Sequence, residues 1–298
     1  MIAFVILACD FAPSVAKPLP EPIAEKQRPE ESIPDAVTVA VDWGQYPFLK
    51  DTEGIHSIAS RFPPPDGYKR VKVESASFGE WLRNLPVLDR QTVYSYRGDV
   101  VSAPAAAVVP MDVGSGDVQQ CADSILRLYS EFLWNKQDAD SWGIHFTSGD
   151  LSTWSAWRQG ERFKVAGSTV ERTQSAEEDS SYSQFQRWLH HAFLYAGTRS
   201  MNKDALSVEP SDVIQPGDFF VTGGSPGHAI LVLDVAESAA KPRVALLGQG
   251  YMPAQEFHVL ADTGSHVTAN WFVLPAEGEA LRNPSWNPIP RSGLYRFP

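Results

Sequence analysis

The sequence predicts an α+β fold in which an antiparallel sheet packs against one long helix. Three observations carry that expectation. Residues 228–235 and 244–250 are nearly continuous apolar runs bounded by turn residues. They are too short for helices and read as strands buried on both faces. From Gly114 to Trp134, Val118, Ala122, Ile125, Tyr129, Phe132 and Leu133 recur at helical spacing and form one apolar stripe. A sheet covered on both faces needs such a stripe against it. Third, the stretch between helix and strands is rich in tryptophan and other aromatics.

The chain divides in order. Residues 1–9 are apolar, and Ile6-Leu7-Ala8-Cys9 resembles the lipobox of bacterial lipoproteins without the basic segment that precedes a secretory core. That resemblance implies lipidation of Cys9. Asp10 resembles the signal that holds such proteins at the inner membrane. Residues 10–36 carry six prolines among Glu, Lys, Arg and Ala, and read as a disordered tether. The globular domain is expected over 37–275, followed by a loosely packed tail over 276–298. Within the domain, Val37–Val41, Tyr68–Val73, Thr92–Tyr96 and Ala105–Val109 read as strands. Ser77 to Leu85 reads as a short helix with Ser77 and Glu80 spaced as a capping box. The long helix is expected to be capped by Asp117 or Ser115. Further on, 142–147, 153–158 and 162–165 read as strands and turns, and Tyr182–Tyr195 as a second amphipathic helix ended by Gly197. A last strand is expected at Asn270–Leu274.

Composition narrows the partners. A net charge of −11 over 298 residues argues against nucleic acid, and it gives no help in holding an anionic membrane surface. No apolar run is long enough to span a bilayer, so any membrane attachment would come through the lipid anchor alone. No His-x-x-x-His, cysteine cluster or phosphate-binding glycine loop is present, and neither a metal nor a cofactor is expected.

Of the two cysteines, Cys121 is left without a partner if Cys9 is acylated. It falls in the first turn of the long helix, where unpaired N–H groups and the macrodipole favour a thiolate. His228 follows a Gly-Ser-Pro-Gly turn and opens a buried strand, a rigid place for a catalytic base or for a histidine that merely caps the strand. If Val235 faces Val244 across a hairpin, paired residues sum to 479 and Ile230 faces Gln249. Gln249 then shares the face of His228 one diagonal step away. Its carbonyl would accept the Nδ1 proton and leave Nε2 facing the sulfur. Tyr251, Trp154 and Trp157 could line a substrate groove, although core packing is the commoner fate of tryptophan.

A cysteine at a helix N-terminus, then Pro216-Gly217-Asp218, then Gly227-His228 at a buried strand resembles NlpC-type papain-like peptidases. That resemblance implies a papain-like fold with the aromatic-rich stretch as a large insertion, hydrolysis of an amide bond in peptidoglycan stem peptides, and Cys121, His228 and Gln249 as the catalytic set. Gln120-Cys121-Ala122-Asp123 departs from the Asp-Cys-Ser-Gly of those enzymes. A second resemblance spans about Trp43 to Leu274. Gln119-Gln-Cys-Ala-Asp, Tyr195-Ala-Gly-Thr, Pro226-Gly-His-Ala and Gln249-Gly-Tyr-Met-Pro-Ala-Gln-Glu-Phe-His-Val-Leu are similar to the domain-of-unknown-function family 4846, which implies no activity. Two function classes follow: an envelope-anchored cysteine hydrolase, and a non-catalytic envelope lipoprotein that uses the fold as a binding module. A catalytic thiol is expected to alkylate faster than a free one near neutral pH.

Overall fold

Eleven strands of one antiparallel sheet gather the elements that matter. The computed structural model describes residues 41–167, 169–262 and 270–298. Cys9, the anchor, the tether and all but the last residue of the strand expected at Val37–Val41 lie outside the described residues.

The strands are Ile55–Ser57 (β1), Lys69–Arg70 (β2), Pro86–Leu88 (β3), Ala105–Val108 (β4), Leu206–Ser207 (β5) and Phe219–Thr222 (β6). They continue with His228–Glu237 (β7), Val244–Gln249 (β8), His258–Leu260 (β9), Phe272–Val273 (β10) and Leu294–Arg296 (β11). Across the sheet the order is β1-β3-β4-β9-β8-β7-β6-β11-β5, with β2 paired to β7 and β10 to β8. The long hairpin β7–β8 stands at the centre because its residues are apolar on both faces. Ala229, Leu231, Leu233 and Ala236 join one core, and Ile230, Val232 and Val235 join another on the opposite face.

Five α-helices lie among the described residues: Ile58–Arg61 (α1), Phe78–Arg83 (α2), Cys121–Asn135 (α3), Trp154–Arg158 (α4) and Tyr182–Phe193 (α5). Only α3 and α5 run beyond two turns. The stripe of α3 packs on β7 as its periodicity requires, with Ala122, Ile125 and Tyr129 in the first core. At α2 the Ser77 hydroxyl accepts the Glu80 N–H, while the Glu80 carboxylate reaches one residue further back than a capping box, to the Ala76 N–H.

Three expectations need correcting. The long helix begins at Cys121, not near Asp117, because the Asp117 carboxylate is engaged elsewhere. It accepts the Ala254 N–H at 2.6 Å and the Gln120 amide at 3.0 Å, so Gln120 becomes the N-cap. Residues 154–158 form one helical turn capped by the Thr153 hydroxyl, not a strand. The tail is not loose. Leu281, Ile289 and Leu294 are buried in the second core, and β11 closes onto β6. Arg296 fastens that strand by pairing with the buried Asp218 carboxylate at 2.6 Å.

Candidate functional site

The first residue of α3 forms part of the wall of a cleft of about 690 Å³. Gln120, Asp123 and the loop Gly224–Gly227 line the same cleft. Arg199, exposed, stands among the lining residues. The helix start reaches this position because Gly250 lets it approach β8 closely. A Cβ there would sit 2.5 Å from the Ser124 hydroxyl and 2.9 Å from the Gln120 carbonyl.

The backbone N–H groups of Ala229, Ala122 and Cys121 lie close enough to the Cys121 sulfur to favour a thiolate. They are outweighed. Burial first, and the neighbouring Asp123 carboxylate second, push the thiol up to about 11. The expectation that the helix N-terminus would set the balance is therefore corrected: a sulfur only 3% exposed loses more from desolvation than it gains from the helix end.

His228 is fully buried at the start of β7, with its ring against Trp286 and Tyr251, each at a centroid distance of 5.0 Å. Burial pushes the imidazole down to about 4, against the hydrogen bond to Gln249. That bond joins His228 Nε2 to Gln249 Oε1 at 2.8 Å. The ring is thus held by the opposite nitrogen from the one expected, and Nδ1 is buried with no hydrogen-bond partner among the described residues. The rest of the Gln249 side chain is also engaged. Its Nε2 donates to the Ser285 hydroxyl at 2.9 Å and lies 3.4 Å from His258 Nε2. His258 Nδ1 is 3.0 Å from the Glu256 carbonyl.

The sheet brings Cys121 and His228 together without joining them. Sulfur comes from the face that carries α3, whereas the His228 ring lies on the face of Trp286, which packs on the second core. They adjoin at the first residues of β7, where the Ala229 N–H lies close enough to the sulfur to favour its thiolate. No hydrogen bond links sulfur and imidazole. Of the other residues named from the sequence, Tyr251 is half-buried, donates its hydroxyl to the Ser285 carbonyl at 3.1 Å, and is raised in pKa by burial and then by Cys121. Trp154 and Trp157 are core residues 3% and 5% exposed, so they line no groove. Trp154 packs on Trp134, Phe185 and Trp188, and Trp157 lies under the Arg162 guanidinium.

Sequence reasoning missed Asp123, Ser285, Trp286 and His258. Asp123 was legible as the third helical residue beside a cysteine. Its Oδ2 accepts the Gln120 N–H, its Oδ1 is buried without a partner, and burial pushes it up to about 7. His258 could have been found by folding Gln249–His258 as a second hairpin, since the two residues face each other across β8 and β9. Ser285 and Trp286 carry no local signal.

Residues 58–296 match the family model described as a domain of unknown function (4846). No curated protein and no solved structure matches the chain.

Proposed function

We propose that this chain, which belongs to the domain of unknown function (4846) family, is a thiol-dependent amide hydrolase of papain-like, NlpC-type arrangement. One observation carries the reading. The sulfur stands in the first turn of α3 beside a cleft, close to the N–H that follows a histidine whose Nδ1 has no partner among the described residues and whose Nε2 is held by Gln249. Thiol and imidazole are both neutral at pH 7. The chemistry is therefore general-base attack, with proton transfer accompanying bond formation, rather than attack by a standing thiolate. His228 Nδ1, with Nε2 kept by Gln249, must reach the sulfur past the first residues of β7. It takes the thiol proton as sulfur bonds to the substrate carbonyl, then gives that proton to the departing amine nitrogen. Water then attacks the thioester, losing a proton to His228 Nδ1, which passes it to the sulfur as Cys121 leaves as thiol. In this reading the Cys121 backbone N–H holds the oxyanion.

The substrate class we assign is the amide bond of peptidoglycan stem peptides. The lipobox-like segment at Cys9 would hold the enzyme at the cell envelope, where such peptides are found. Purified protein incubated with muropeptides and read by mass spectrometry should show a new amine and carboxylate pair. Cys121→Ala and His228→Ala should each abolish it, while Gln249→Ala weakens it. Full activity in Cys121→Ala would sink the reading. A second reading, the non-catalytic binding module, is favoured by the thiol being nearly inaccessible and raised in pKa, the opposite of the fast alkylation expected of a catalytic thiol. Muropeptides bound in the cleft but left uncut would select it.

A further inference from the structure

A polar row crosses three strands of the sheet: His228 on β7, Gln249 on β8 and His258 on β9. We infer that His258 is a positioning residue that fixes the amide orientation of Gln249, and through it leaves the His228 proton on Nε2 and a lone pair on Nδ1.

One group in the row has no choice of role. The Glu256 carbonyl can only accept, so His258 Nδ1, at 3.0 Å, must carry a hydrogen. Burial lowers the His258 pKa and keeps it neutral, so its Nε2 has only a lone pair to offer. Facing that lone pair at 3.4 Å, Gln249 presents its NH₂ end, whose other hydrogen goes to the Ser285 hydroxyl. Gln249 Oε1 is then the end that meets His228, and an oxygen at 2.8 Å demands a hydrogen on His228 Nε2. A neutral imidazole with hydrogen on Nε2 has none on Nδ1. The flipped amide would set Gln249 Oε1 against the His258 lone pair and NH₂ against His228, and would move the His228 proton onto Nδ1. In the buried row, two facing lone pairs cost more than the flip could recover.

Two independent features agree with this polarity. His228 Nδ1 is buried with no hydrogen-bond partner among the described residues, as suits an atom kept for a transient partner. Gln249 and His258 are directly opposed in the strand register, so the pair is built into the sheet rather than into a mobile loop. The consequence for catalysis rests on the hydrolase reading, but the tautomer does not.

Long-range proton–nitrogen NMR on ¹⁵N-histidine-labelled protein tests the proposal. In the wild type, His228 should be protonated at Nε2 only and His258 at Nδ1 only. A proton on His228 Nδ1 would overturn the proposal, whether or not any variant folds. In His258→Phe, Gln249 is released, and His228 should become a mixture of tautomers. With a cleaved substrate in hand, kcat should fall roughly threefold to tenfold at unchanged KM, the ratio that one hydrogen bond controls. His258→Gln, able to accept from Gln249 and donate to the Glu256 carbonyl, should restore both readouts. A folded His258→Phe whose His228 keeps a single Nε2 tautomer would refute the positioning role. If the wild type cuts nothing, the hydrolase reading fails alone, because the tautomer is read without substrate.

Discussion

Alkylation of Cys121 gives the sharpest test of how its surroundings act. The thiol rises from an ordinary value of 9.0 to about 11. Those two units leave roughly 100-fold less thiolate at pH 7, which corresponds to about 2.7 kcal/mol. In a Cys9→Ala background, so that one thiol remains, iodoacetamide should react at pH 7 at least about 100-fold more slowly than free cysteine. The rate should keep climbing with pH until about 11. Asp123→Asn keeps an acceptor for the Gln120 N–H but removes the charge, and so should lower the thiol pKa and speed the reaction at pH 8. Below about 7, where Asp123 itself is protonated, the two proteins should converge. Stability must move with the same group. The folded chain holds the thiol proton that the unfolded chain has lost between 9.0 and about 11, so stability is intact below that window and falls across it. An apparent pKa below 9.0, or alkylation of the intact protein as fast as free cysteine at pH 7, would refute the claim that desolvation and Asp123 outweigh the helix end.

Two further predictions concern how the site is held. Gly250→Ala should destabilise the protein by about 1–3 kcal/mol in urea unfolding, since its Cβ meets the Gln120 carbonyl, a backbone atom, as well as Ser124. An unchanged midpoint would mean that α3 does not press on β8 there. Arg83→Met should cost roughly 2–4 kcal/mol, because it leaves the fully buried Asp234 carboxylate with Arg70 as its one cationic partner beside the Val235 N–H. That is somewhat less than breaking a buried pair outright. A loss under about 0.5 kcal/mol, the range of ordinary surface changes, would show that Arg70 suffices.

What the sequence made legible followed from periodicity, and what it hid followed from long-range packing. The α3 stripe and the two apolar strands could be read because each buries a fixed face. Asp117 looked like a cap by type and place, yet it was drawn to Ala254, 137 residues away, which no local rule foresees. Trp154 and Trp157 could not be told from groove residues until α5 was seen to bury them. The hairpin is the most instructive case. Pairing near its turn is one residue out from the sum of 479, with Ala236 facing Val244 and Asp234 facing Leu246. A bulge between Val232 and Asp234 then absorbs one residue, so Val232 faces Leu247 and Leu231 faces Gly248, back on that sum. The end of the hairpin that carries His228 and Gln249 therefore keeps the register read from the sequence, while the end near the turn does not. Core membership records the same event: Ile230, Val232 and Val235 share a face, and the odd step between the last two is where the strand gains its extra residue. Without that bulge, the pairing that starts at Ala236 and Val244 would run on unshifted, Gln249 would face Leu231, and it would point away from His228. The buried Asp234, held by Arg70 and Arg83 beside the bulge, thus lies on the path that sets the site's register from some 20 Å along the strand.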